Sequence, residues 1–146
     1  MILSINTSTM QYGIALMNQD GSILCEYIMD PKPGYFGALM PSLRYLIEAA
    51  GIKLDQLKAI VVAIGPGSFT GLRIGLATAK GLSHSLNLPI IGVSSLKAMA
   101  SQVPFARVIS GCLRFGSSCG KGLNITSDFD PVNSITILAR SIILHS

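Results

Sequence analysis

Histidine is nearly absent: the chain has only His84 and His145, at no spacing that suits a metal ion. Cysteine is scarce as well. Cys25, Cys112 and Cys119 are odd in number and form no C-x-x-C pair, which argues against a disulfide framework or a zinc site and leaves reduced thiols as the expectation. Acidic residues number seven (Asp20, Glu26, Asp30, Glu48, Asp55, Asp128 and Asp130), and no two are spaced for acid–base work. No G-x-S-x-G elbow occurs, and neither Ser8 nor Ser68 has an evident His/Asp pair. These absences argue against an independent enzyme. Long apolar runs are missing too: the longest, Ala59–Ile64, falls far short of the ~18–20 residues that cross a bilayer. Met1–Ile5 runs straight into Asn6-Thr7-Ser8-Thr9, unlike a signal peptide. The expectation is a soluble, cytoplasmic protein with no membrane partner.

What is present suits a packed core. Hydrophobic residues make up 49% of the 146 residues and charged ones 12%, too little polarity for a disordered chain. The length fits one domain or a piece of a larger two-domain protein. Lys and Arg number 11, for a net charge of +4, but the distribution says more than the total. Between Gln56 and Ser127 there is no acidic residue, while Lys58, Arg73, Lys80, Lys97, Arg107, Arg114 and Lys121 all fall there. Such a basic half suits an anionic partner, RNA or an acidic protein face; the plainer reading is widely spaced solubilising charge.

The pattern begins as three strands in a meander. Met1–Asn6, Tyr12–Asn18 and Ile23–Met29 are short and apolar, and Asp20-Gly21 supplies a tight-turn signal between the last two. Asp30-Pro31-Lys32-Pro33-Gly34 breaks the run. Leu39–Ala50 then places Leu39, Leu43, Leu46, Ile47 and Ala50 at helical spacing, with Pro41 in the first turn and Gly51 as a C-terminal cap. Ala59–Ile64 reads as a strand buried on both faces, Thr70–Leu86 as a helix stopped by Asn87-Leu88-Pro89, and Ile90–Val93 as a further buried strand. Ser94 and Ser95 can cap a last helix through Ala100. The sum is an α/β layered domain.

Gly65-Pro66-Gly67-Ser68-Phe69-Thr70-Gly71 joins strand to helix, where backbone N–H groups and the helix dipole converge on any anion. It is not a P-loop, and it misses the dinucleotide fingerprint at Thr70. A phosphate cradle and a tight structural turn are both open, with the turn favoured. In the following helix Leu72, Leu76, Ala79 and Ser83 lie on one side and Ile74, Ala77 and Gly81 on another. Gly71, Gly75 and Ala79 form a ridge of small residues that admits a close neighbour. An internal core helix and an interface helix fit this pattern about equally.

Two stretches carry a resemblance. Ile2-Leu3-Ser4-Ile5-Asn6-Thr7-Ser8-Thr9 and the long block Ile64–Leu82, continued by Pro89–Leu96, are similar to the bacterial TsaB (YeaZ) family over residues 1–102. The resemblance implies an actin-like ATPase fold (ASKHA, ribonuclease H-like): the N-terminal domain, with a mixed sheet and flanking helices. It implies a non-catalytic scaffold that supports a TsaD-type transferase, alongside other proteins of the pathway, in threonylcarbamoyladenosine (t6A) modification of the tRNA adenosine beside the anticodon. The tRNA would be met through the complex. The two helices would pack against a TsaD-type partner or a second copy through Leu39, Leu43, Leu46, Ile47, Gly71, Leu72, Gly75, Leu76 and Ala79. Asn6, Ser8, Gly65, Gly67 and Ser68 are the weak candidates for nucleotide contact, and ATP or ADP is expected only at the interface with such a partner. No cofactor and no metal is expected within the chain itself.

The departures matter. Asn6 stands where family members usually carry Asp, and Gly34-Tyr35-Phe36-Gly37 replaces a Gly-His-Ser-Glu. The TsaD-type metal histidine pair is absent. This weakens the alternative readings, a nucleotide-binding ATPase or an M22 glycoprotease-like enzyme of the same superfamily. A third reading is a stand-alone dimeric helix-interface module. Residues 103–146 do not resemble the family's second half, and their apolar run Ile135–Leu144 fits neither strand nor helix period. The expectation there is a divergent, poorly packed tail, truncated or out of frame.

Overall fold

The computed structural model describes residues 1–9, 11–29 and 36–100; the expectations for the tail lie outside the described residues. Strands β1 (Ile2–Asn6), β2 (Tyr12–Met17) and β3 (Ile23–Met29) come first, followed by helix α1 (Leu39–Ala49). Then come β4 (Ala59–Gly65), α2 (Phe69–Leu86), β5 (Ile90–Ser94) and α3 (Ser95–Ala100). They build one mixed sheet in the order β3-β2-β1-β4-β5. The meander pairs antiparallel, Leu3 opposite Leu16 and Ile14 opposite Tyr27, while β4 joins β1 in parallel with Leu3 opposite Ile60. The β5 strand adds to β4 in parallel, Val61 opposite Ile91. Each parallel step needs a crossover, and α1 and α2 supply the helices.

Alternation along the strands sorts the two faces. Leu3, Ile5, Ile14, Leu16, Ile60 and Val62 share one cluster with Leu39, Leu43 and Leu46 of α1 and Ala79 of α2. Each buried Leu or Ile contributes about 2 kcal/mol on leaving water. On the opposite face Val61 packs with Ala98 of α3 and the partly buried Ile2, Ile91 and Val93. The expected burial of Ala59–Ile64 holds from Ile60 to Ala63 but not at the end, because Ile64 is 56% exposed. There the ladder shifts register before Gly65, and the Ile64 side chain spreads over Gly92.

The helix ends follow local chemistry. After α1, Gly51 takes φ +65° and its N–H bonds the Glu48 carbonyl at 3.1 Å. After α2, Asn87 takes φ 52°, and the Leu88 N–H bonds the Ser83 carbonyl at 3.0 Å before Pro89. Ser68 caps the start of α2 by accepting from the Gly71 N–H at 3.3 Å. The hydroxyl of Ser95, by contrast, is buried without a hydrogen-bond partner, so it caps nothing at α3. Among the described residues no helix is long and apolar enough to cross a membrane.

Candidate functional site

Three of the weak nucleotide candidates, Asn6, Ser8 and Ser68, meet where β1 ends and α2 begins. Asn6 is only 4% exposed, and its Oδ1 accepts from the Ser8 backbone N–H at 3.1 Å and the Ser8 hydroxyl at 2.7 Å. This turn of side chain onto backbone closes the loop upon itself. The Ser8 carbonyl accepts in turn from the Ser68 N–H at 2.7 Å, and the Ser68 carbonyl accepts from the Leu72 N–H at 2.8 Å. Gly65 and Gly67 lie in the loop that brings Ser68 there. Gly65, at φ +95°, carries the chain out of β4 in a conformation that disfavours other side chains, and its peptide bond to Pro66 is cis.

Helix α2 lies on this loop at backbone distance. A Cβ at Gly71 would collide with the Thr7 carbonyl oxygen, one at Gly75 with the Thr7 hydroxyl, and one at Gly67 with the Ser8 carbonyl. Thr7 is fully buried beneath the helix and its Oγ1 has no hydrogen-bond partner. The small-residue ridge therefore faces the protein's own β1 end, with Ala79 continuing it into the core. This corrects the ridge as a partner-facing surface. Gly71, Gly75 and Ala79 are internal, and so are Leu39, Leu43 and Leu46, which fill the space between α1 and the sheet. Of the nine interface candidates only Ile47, Leu72 and Leu76 keep partial exposure.

This geometry bears on phosphate binding. A phosphate needs free donors, yet the Ser8 N–H and hydroxyl, the Ser68 N–H and the Gly71 N–H all have partners within the chain. Asn6 is neutral and already accepts twice. Among the described residues no three His, Cys, Asp or Glu side chains gather as a metal-binding group.

The other side of α2 looks different. Phe69 is 74% exposed, and the Arg73 guanidinium lies 5.3 Å from its ring centroid. Ala77, Lys80, Gly81 and His84 continue the exposed line, and a Cβ at Gly81 would meet nothing within 4 Å. On α1, Met40 and Tyr45 are exposed, and Tyr45 meets Tyr27 edge-on with centroids 5.8 Å apart. The places of Thr7 and Phe69 were not singled out in the sequence. The clue to Thr7 was the pair of glycines four apart; the clue to Phe69 was an aromatic four residues before an arginine.

The family described as TsaD, tRNA N6-adenosine threonylcarbamoyltransferase, matches residues 35–108, just over half of the chain. The chain belongs to this family. The tRNA threonylcarbamoyladenosine biosynthesis protein TsaB of Bacillus subtilis is 43% identical over 100 residues, which are 68% of this chain and 43% of that protein. YeaZ from Pseudomonas aeruginosa superposes with a TM-score of 0.62 at 32% identity, over 69% of this chain and 46% of that one. The chain thus resembles TsaB (YeaZ) proteins over its N-terminal part and spans under half their length. T. thermophilus RuvC, solved with a Holliday junction substrate, has a TM-score of 0.52 at 10% identity over 94% of this chain and 90% of that one. That likeness speaks for the ribonuclease H-like fold alone, in agreement with the mixed sheet and flanking helices expected from the sequence.

Proposed function

We propose that this chain is a TsaB-type, non-catalytic scaffold that supports a TsaD-type transferase in t6A modification of the tRNA adenosine next to the anticodon. The observation that carries the reading is the closed Asn6–Ser8 loop. In an actin-like fold the end of β1 is where a catalytic carboxylate would act. Here a neutral amide sits there, buried and bonded to its own loop. The TsaB name of its relatives supplies the pathway.

In this reading the outward surfaces of α1 and α2 meet the TsaD-type partner, with a second copy of the chain as the competing occupant. Ile47, Leu72 and Leu76 stay in the interface, joined by Met40 and Phe69. Other proteins of the pathway join through the transferase, tRNA is met through the complex, and ATP or ADP binds only where the partner completes a site.

The test is reconstitution with the full chain. Alone it should neither hydrolyse ATP nor modify tRNA, and it should co-purify with a TsaD-type protein and raise that protein's t6A output. ATP turnover by the chain alone, lost in an Asn6→Ala variant that still folds, would instead favour the ATPase reading.

A further inference from the structure

The turn between β2 and β3 carries the chain's one Asp-Gly pair, Asp20-Gly21, and the sequence has no Asn-Gly pair. An aspartate before glycine is chemically vulnerable, because no Cβ shields the glycine nitrogen from the carboxyl carbon beside it. In the reaction the Gly21 nitrogen bonds to Cγ of the protonated Asp20 carboxyl, and the amide proton leaves with the carboxyl hydroxyl as water. A second water then opens the five-membered imide at the Asp20 main-chain carbonyl, breaking its bond to the Gly21 nitrogen. The chain now runs through the former side chain as isoaspartate, one methylene longer, and the old main-chain carbonyl is a free carboxylate.

Both reacting groups are tied down in the folded turn. Asp20 Oδ1 accepts from the Ser22 N–H at 2.9 Å and from the Ser22 hydroxyl at 2.7 Å. The Asn18 side-chain amide donates to that same hydroxyl at 2.9 Å, which aims the hydroxyl proton at Asp20. The Gly21 N–H points away, to the Asn18 carbonyl at 3.2 Å, and the Asn18 N–H bonds the Ser22 carbonyl at 2.9 Å. Gly21 closes this turn at φ +85°. The Ser22 hydroxyl, and after it the Ser22 N–H, hold the Asp20 carboxyl below the usual carboxylate range. Ring closure draws on the protonated carboxyl, so the same bonds thin out the reactive form at neutral pH.

We infer that Asp20 is a site of spontaneous isomerisation that the Asn18–Ser22 turn holds shut, with the Ser22 hydroxyl as its latch. The inference stands apart from the scaffold reading. Asp20 is exposed, so the isoaspartyl carboxylate formed there is open to an enzyme that methylates such groups. The damage would reach the core. Met17, fully buried, stands opposite Ile23 just beyond the turn, beside the irregularity in the β2–β3 ladder, and an extra methylene in the turn displaces that pairing.

The experiment ages the full chain, Ser22→Ala, Ser22→Thr and a synthetic peptide of residues 17–24 side by side at neutral pH and physiological temperature. Isoaspartate is counted by methylation of the denatured samples with a purified isoaspartyl methyltransferase and mapped to Asp20 by mass spectrometry. The peptide has no sheet to hold its turn and should isomerise about tenfold or more faster than the parent. Ser22→Ala should run about threefold or more faster than the parent, while Ser22→Thr, which keeps a hydroxyl, should stay near the parent rate. Thermal unfolding establishes that the variants fold. A parent that ages as fast as the peptide overturns the inference, whether or not Ser22→Ala folds. A folded Ser22→Ala that ages at the parent's rate, or a Ser22→Thr as fast as Ser22→Ala, overturns the hydroxyl latch.

Discussion

Helix α2 carries small residues on two sides, and the two sides have opposite roles. On the inner side Gly71 and Gly75 let the helix backbone settle onto Thr7, so that even one methyl group would strike the loop after β1. On the outer side Ala77 and Gly81 are equally small, yet a methyl at Gly81 would meet nothing. Small residues in a helix therefore do not identify an interface. What lies within 4 Å of the missing side chain decides whether the residue is a seam in the fold or an opening on its surface.

Filling the inner seam should have the largest effect. Gly75→Leu forces a branched side chain into the Thr7 hydroxyl, and the expected loss is at least ~3 kcal/mol, the upper end of ordinary overpacking. Chemical denaturation at a concentration where the parent is monomeric checks this. Unchanged stability there, with association lost, would move the ridge back to the surface.

A middle-sized effect should come from the loop beneath. Asn6→Ala removes the acceptor for both the N–H and the hydroxyl of Ser8 in a buried position. The expected cost is about 1–3 kcal/mol by urea unfolding. Asn6→Asp keeps an acceptor for both donors and should recover part of that loss. If both variants match the parent, the loop is not held by this side chain.

Thr7→Val should have a smaller effect and the opposite sign. The Thr7 hydroxyl is buried without a partner, so a methyl of similar shape removes a polar group that gains nothing from folding. The expected change in melting experiments is a gain of up to ~1 kcal/mol. A clear loss would mean that the hydroxyl holds a partner in solution.

Much of the fold was legible from the chain. The meander, the order of helices and strands, and Gly51 and Asn87 as helix stops all follow from local rules of periodicity and turn chemistry. The candidate site was legible in part. The loop Gly65–Gly71 stands out in sequence, and the favoured reading, a tight turn, agrees with donors that are engaged inside the chain. The facing of α2 was not legible. Helical period fixes the angle between Gly75 and Gly81 but not which of them looks at the sheet. The deciding contact joins Thr7 to residues far along the chain, and nothing local to α2 encodes it. The same limit sent Leu39, Leu43 and Leu46 to a partner surface when they belong to the core.

The two-sided account of α2 is tested most directly by making one substitution on each side. Gly71→Ala and Gly81→Ala add the same methyl group and the same helix propensity, worth ~1 kcal/mol in favour of Ala. At Gly81 that gain should appear nearly whole, because the methyl meets nothing. At Gly71 the collision with the Thr7 carbonyl should outweigh it, so the net change should be a loss. Paired thermal unfolding of the two variants at one dilute concentration should therefore give shifts of opposite sign, up for Gly81→Ala and down for Gly71→Ala. Two shifts of the same sign would contradict the account.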